Sequence, residues 1–132
     1  MKCIIIENNG KPKYSERRMP TIKKGWAKIE VSYAGLCGSD LTKIFSDKKA
    51  RLSINKNIWG HEFSGIVEEI EKNNHLKKGD RVVVQPLIFN KQNKITTARS
   101  LGKEYDGGFS EYALVPIRNL IKVPKGIPLE LS

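Results

Sequence analysis

The sequence predicts a mostly β domain, a partly open barrel of short strands with one or two short helices. Two features carry that expectation: apolar residues recur with a period of two over many short segments, and Gly, Pro and Asn punctuate the joins between them. At 132 residues the chain is long enough to bury one core and too short for two, so residues 1–132 read as one domain. It shows no internal repeat and no low-complexity tract.

Lys2 to Glu7 reads as the first strand, and Asn8-Asn9-Gly10 has the residue types of a hairpin turn into a second strand at Lys13 to Arg18. After Pro20 and the Lys24-Gly25 turn, Ala27, Ile29, Val31 and Tyr33 alternate with Lys28, Glu30 and Ser32, the period of a half-buried strand. That strand delivers the chain to Cys37. Ser39 or Asp40 can then cap a short helix on which Leu41, Ile44 and Phe45 share one face. Asp47 to Asn57 is charged, polar and aperiodic, and reads as a loop over the site. Phe63 to Ile70 and Asp80 to Leu87 are the next strands, joined by Glu71 to Gly79; His75 in that connection has no second donor beside it and reads as a solvated histidine. Gln85 to Asp106 is long, polar and poorly periodic. Phe109 to Ile117 reads as a strand with Phe109, Ala113 and Val115 on one side and Tyr112 and Leu114 on the other, and Leu120 to Val123 as a last short strand. The terminal PLELS carries no further structure.

Lys and Arg number 24 against 14 Asp and Glu, a net charge of +10, which raises nucleic acid or an anionic ligand as a partner. The basic residues are dispersed in pairs (Arg17-Arg18, Lys23-Lys24, Lys48-Lys49, Lys77-Lys78), and no aromatic-interleaved or helix-turn-helix pattern accompanies them, so nucleic acid is disfavoured against solvated lysine faces. The apolar run in MKCIIIENNG is too short for a signal-peptide core or a membrane span, which leads to the expectation of a cytoplasmic protein with no membrane partner. Two cysteines without a secretory signal read as reduced thiols, Cys3 as a small buried hydrophobe rather than a partner for Cys37.

Cys37, His61 and Glu62 carry the candidate chemistry. A soft sulfur, a borderline nitrogen and an oxygen suit Zn²⁺, and three protein ligands with a fourth position open is the catalytic rather than the structural arrangement. Cys37 and His61 are 24 positions apart, so they meet only if the fold brings them together. Gly35, Gly38, Gly60 and Gly65 bracket the donors, as expected where backbone approaches a metal or cofactor closely. Asp40 could accept the second ring N–H of His61 and so orient it. The helix amino-terminus beside Cys37 would favour a thiolate there.

GLCGSDL, GHEFSG, the later GDRVVV and then DGGFSEY resemble the amino-terminal, GroES-like domain of the zinc-dependent medium-chain dehydrogenases/reductases, the alcohol and polyol dehydrogenase superfamily. The wording is most similar to the sorbitol and galactitol-phosphate dehydrogenase branch, and the matches cover nearly the whole chain. The resemblance implies a GroES-like barrel in which Cys37 and His61 ligate one catalytic zinc, Glu62 ligates it or stands beside it, and Ser39 relays the substrate's proton. It implies oxidation of a secondary alcohol, a sugar alcohol or a phosphorylated sugar alcohol by hydride transfer to NAD or NADP. In the family a lobe tied by four cysteines around a structural zinc often occupies the place of residues 85–106; those cysteines are missing here, which implies a single metal and a lobe that is shortened or mobile. No G-x-G-x-x-G turn occurs in these residues, so the dinucleotide is expected to come through a separate coenzyme-binding (Rossmann) domain, with oligomers expected only of the full-length protein and no turnover by this chain alone. Two alternatives stand beside this reading: a stand-alone or degenerate GroES-like zinc-binding module without catalysis, and a basic nucleic-acid-associated domain.

Overall fold

The computed structural model describes residues 1–7, 9–45, 57–73, 75–89 and 98–132. Strands β1 (Lys2–Ile6) and β2 (Pro12–Glu16) form an antiparallel hairpin in which Ile4 faces Tyr14. Gly10 closes the turn with a φ of 81°, a left-handed conformation that costs glycine little. The main sheet runs β8-β3-β4-β5-β9, each neighbour antiparallel to the next. Its members are β3 (Trp26–Gly35), β4 (Glu62–Ile70), β5 (Arg81–Val84), β8 (Tyr112–Pro116) and β9 (Leu120–Lys122). A small pair, β6 (Leu87–Ile88) with β7 (Arg99–Ser100), lies outside it. Helix α1 (Gly38–Ile44) is the one α-helix among the described residues.

Alternation explains where the core sits. Ala27 and Ile29 of β3, Phe63 and Val67 of β4, Val82 and Val84 of β5, and Ala113 and Val115 of β8 point to one side and are buried. Each larger side chain among them stabilises the fold by about 1.5–3 kcal/mol through its removal from water. The ten-residue β3 is the spine, paired with β8 along its first half and with β4 along its whole length. Gly65 marks how closely those two backbones approach: a Cβ there would lie 2.1 Å from the Glu30 carbonyl oxygen.

Several expectations are corrected. The period of β3 breaks at a register shift between Val31 and Tyr33, so Tyr33 is 50% exposed instead of joining the buried face. The Asp80 to Leu87 strand is two pieces, β5 and β6, because the buried Asn119 donates its amide to the Gln85 and Leu87 carbonyls, each at 2.8 Å, and takes the chain out of the main sheet between them. Phe109 precedes β8 rather than belonging to it. The described residues of the 85–106 lobe carry structure of their own: β6 and β7 pair, and Leu101 is a core residue at 1% exposure. Residues 90–97 of that lobe, and 47–56 of the loop expected over the site, lie outside the described residues. The terminal PLELS forms a 3₁₀ turn, Leu129–Leu131, held by the buried Ser64 hydroxyl donating to the Leu129 carbonyl at 2.7 Å. Cys3 is buried at 3% and neither cysteine is disulfide-bonded, as expected. His75 is exposed, also as expected.

Candidate metal centre

Strand register closes the gap of 24 residues. Gly35 at the end of β3 lies opposite Glu62 at the start of β4, so Cys37, two residues beyond one, and His61, one residue before the other, emerge at the same end of the sheet. The Cys37 sulfur, one ring nitrogen of His61 and one carboxylate oxygen of Glu62 all lie within 4.8 Å of one another. Donors bound tetrahedrally at about 2.0–2.3 Å from a zinc ion stand about 3.3–3.8 Å apart, so small side-chain rotations suffice and the trio could hold such an ion. Cys37 and His61 are half-buried and Glu62 is exposed, which leaves one side open to solvent. Gly35 supports Glu62 by absence, since a Cβ there would sit 3.3 Å from its Oε2.

The Cys37 side is organised by Asp40. Cys37 is itself the N-cap residue of α1, with extended backbone at φ −73° and ψ 151°, so neither Ser39 nor Asp40 caps the helix as expected. Asp40 instead turns back: its Oδ2 accepts the Cys37 amide at 3.2 Å, as the acidic residue of a capping box does. Its Oδ1 lies 3.6 Å from His61 Nδ1. Asp40 is only 3% exposed, so one buried carboxylate faces both sides of the donor set. Ser39 sits beside it in the first helical turn, exposed to solvent. The expected apolar face of α1 is not buried: Leu41 is 39% and Phe45 81% exposed.

The His61 side is organised by residues 106–109, on the approach to β8. Asp106 accepts the Ile58 amide at 2.8 Å through its Oδ1. The amides of Gly107, Gly108 and Phe109 donate to the carbonyls of Ile58, Gly60 and Trp59 at 2.8, 2.7 and 2.9 Å. A Cβ on Gly107 would lie 2.1 Å from the Gly60 oxygen, and one on Gly60 2.5 Å from the Phe109 ring. The glycines near His61 therefore serve protein packing, and a Cβ on Gly38 would meet no protein atom within 4 Å. The signal for this clamp was the run DGG, three turn-forming residues in a row with no turn of their own to explain them.

A profile of the family described as "Alcohol dehydrogenase GroES-like domain" matches residues 23–125. The chain is 36% identical to the starvation-sensing protein RspB of Escherichia coli (strain K12), over 96% of this chain and 40% of that protein. It is 30% identical to galactitol 1-phosphate 5-dehydrogenase of the same strain, over 98% of this chain and 40% of that enzyme. The crystal structure of galactitol-1-phosphate dehydrogenase from Escherichia coli superposes with a TM-score of 0.86 at 29% identity, over 98% of this chain and 40% of that one. The chain thus spans about 40% of the length of these relatives. No helix among the described residues is long and apolar enough to cross a membrane.

Proposed function

The chain belongs to the alcohol dehydrogenase GroES-like domain family, and from that premise we propose that it is the zinc-holding catalytic part of an NAD(P)-dependent dehydrogenase acting on a secondary alcohol or polyol. The observation that carries this reading is the convergence of Cys37, His61 and Glu62 at an open end of the sheet. When bound there, a zinc ion would supply Lewis acidity toward an alcohol oxygen. Cys37 contributes a thiolate, His61 a ring nitrogen and Glu62 a carboxylate oxygen. Asp40 holds the imidazole and the Cys37 backbone in mutual register. Ser39, exposed in the first turn of α1, is the hydroxyl that hands the substrate's proton outward. A separate coenzyme-binding domain would hold the nicotinamide that supplies hydride-transfer chemistry, since residues 1–132 carry no Gly-rich turn of that kind.

For the substrate, the names of the relatives favour hydroxyl-rich small molecules: galactitol 1-phosphate in one and (R,R)-butanediol, at 35% identity over 84% of this chain, in another. The net charge of +10 suits a phosphorylated polyol. The test is metal analysis of the purified chain alongside Cys37→Ala. About one zinc per chain is expected for the wild type, as for a site with three protein ligands, and almost none for the variant; equal zinc in both removes Cys37 as a ligand. The 132-residue chain by itself should form no NADH or NADPH from galactitol 1-phosphate or butanediol. Turnover by it alone would overturn the assignment of the coenzyme to a separate domain.

A further inference from the structure

We infer a second binding site, for a small amphipathic anion, at the end of the barrel remote from Cys37, His61 and Glu62. A cavity of about 820 Å³ lies there, within the range of small-molecule sites, roughly 300–1,000 Å³. Strand β3 connects the two places. Its first residue, Trp26, borders the cavity and its last, Gly35, faces Glu62. An extended segment of that length spans roughly 30 Å.

The floor of the cavity is apolar: Trp26, Leu76, Ile88, Ile117 and Leu120 present to it the underside of the main core. Tyr105 meets Trp26 edge to face at 5.2 Å and extends that wall. The rim carries the cations of Lys24, Arg118 and Lys122 with His75 among them, and none of the described lining residues is acidic. Two carboxylates reach the rim from outside. Asp80 pairs with Lys122 at 2.7 Å, and Glu71 accepts the Gly25 amide at 3.3 Å. Lys24 and Arg118 pair with no carboxylate among the described residues. Arg118 donates to the Phe89 carbonyl, which fixes its guanidinium without neutralising it.

Floor and rim together select the occupant. An inorganic anion would satisfy the cations and leave the apolar floor wet, whereas a neutral hydrocarbon would cover the floor and leave the cations without a counter-charge. A ring or short apolar chain against Trp26 and Ile117, ending in a carboxylate, sulfonate or phosphate at Lys24 and Arg118, meets both demands. Nothing in the dehydrogenase reading uses this place, so the two stand or fall separately.

The test is an amide-resolved NMR titration of the protein with 4-phenylbutyrate and with its uncharged counterpart 4-phenylbutanol. Saturable shifts grouped on Trp26, Leu76, Ile88, Ile117 and Leu120 are expected, with the acid bound at least about threefold more tightly than the alcohol. Lys24→Gln and, separately, Arg118→Gln should each weaken the acid about three- to fivefold, the scale of one exposed ion pair, and leave the alcohol unchanged. The Lys24 side chain makes no hydrogen bond among the described residues, so its variant remains informative if Arg118→Gln perturbs the fold. Shifts scattered over the surface, no saturation by about 10 mM, or an alcohol that binds as tightly as the acid would each overturn the site.

Discussion

The two sides of the donor set are held by opposite means. His61 follows a segment that is buried and laced to residues 106–109, with Ile58 and Trp59 only 1% and 3% exposed. Cys37 opens a helix of seven residues beside which Leu41 and Phe45 stand in solvent, and among the described residues it is held by contacts within that turn: the Asp40 and Leu41 amides on its carbonyl and the Asp40 carboxylate on its amide. One side is therefore a by-product of folding the core. The other is a local motif standing on the surface of the core. The difference teaches where damage should appear: on the His61 side as lost stability, on the Cys37 side as lost metal affinity at nearly constant stability.

Glycine substitutions should separate the sides most sharply. Gly107→Ala drives a Cβ to 2.1 Å from the Gly60 carbonyl oxygen and 2.7 Å from that of Trp59, both backbone atoms that cannot step aside cheaply. A loss of about 3 kcal/mol or more in urea unfolding is expected. Gly38→Ala meets nothing within 4 Å and lies in a helix, so it should be neutral or stabilise by up to about 1 kcal/mol. Comparable losses in both would break the division.

Asp40→Ala comes next. It removes the acceptor of the Cys37 amide and the carboxylate beside His61, so zinc affinity by competition with a chelator should fall about 10–100-fold, with stability lowered by only about 1 kcal/mol. Asp106→Ala is the counterpart on the other side. It leaves the Ile58 amide without its partner, which should cost about 1 kcal/mol of stability and change zinc affinity less than Asp40→Ala does. If Asp106→Ala weakened zinc as much while leaving the urea midpoint alone, the two sides would not be organised differently.

The same contrast governs what was legible beforehand. The donors, the spine strand and the first hairpin could be read because each depends on a local pattern: residue types suited to a metal, a period of two, and an Asn-Gly turn. The clamp left only the run DGG as a mark of its place, because a glycine excluded by a distant carbonyl looks like any other turn glycine until the partner is known. Strands β6 and β7 are two residues each, too short for any period. The helix cap was misplaced because Ser39 and Asp40 have the better intrinsic capping chemistry, whereas the extended backbone that follows β3 ends at Cys37, which caps the helix two residues before Ser39 and three before Asp40. The apolar spacing on α1 was real, but helical spacing states only that residues share a face, not that another element covers it. The site itself was legible as a list of donors; its geometry came from register, which one residue of slip would have undone.

The smallest effect tests whether stability and metal affinity are independent at all. Asp80 is buried in the turn before β5, where its Oδ1 accepts from Lys122 at 2.7 Å and its Oδ2 from the Lys77 amide at 3.0 Å, away from either side of the donor set. The Lys122 hydrogen bond holds its carboxyl below the usual carboxylate range, against the opposing effect of burial. A carboxyl depressed in the folded state adds stability that is complete above the unfolded value of about 3.9 and vanishes as pH falls through the lower folded value. Lys122 is 55% exposed, so the screened gain should stay under about 1 kcal/mol. In metal-free protein, Asp80→Asn should therefore unfold at a slightly lower urea midpoint than wild type from neutral pH down to about pH 5, and the gap should close on further acidification. The amide oxygen still accepts from the Lys77 amide, so the gap reports the loss of the carboxylate's pairing with Lys122. At neutral pH its zinc affinity should equal wild type; a parallel loss would mean that any loosening of the barrel reaches the donors, and the distinction between a core-held imidazole and a locally held thiol would fail.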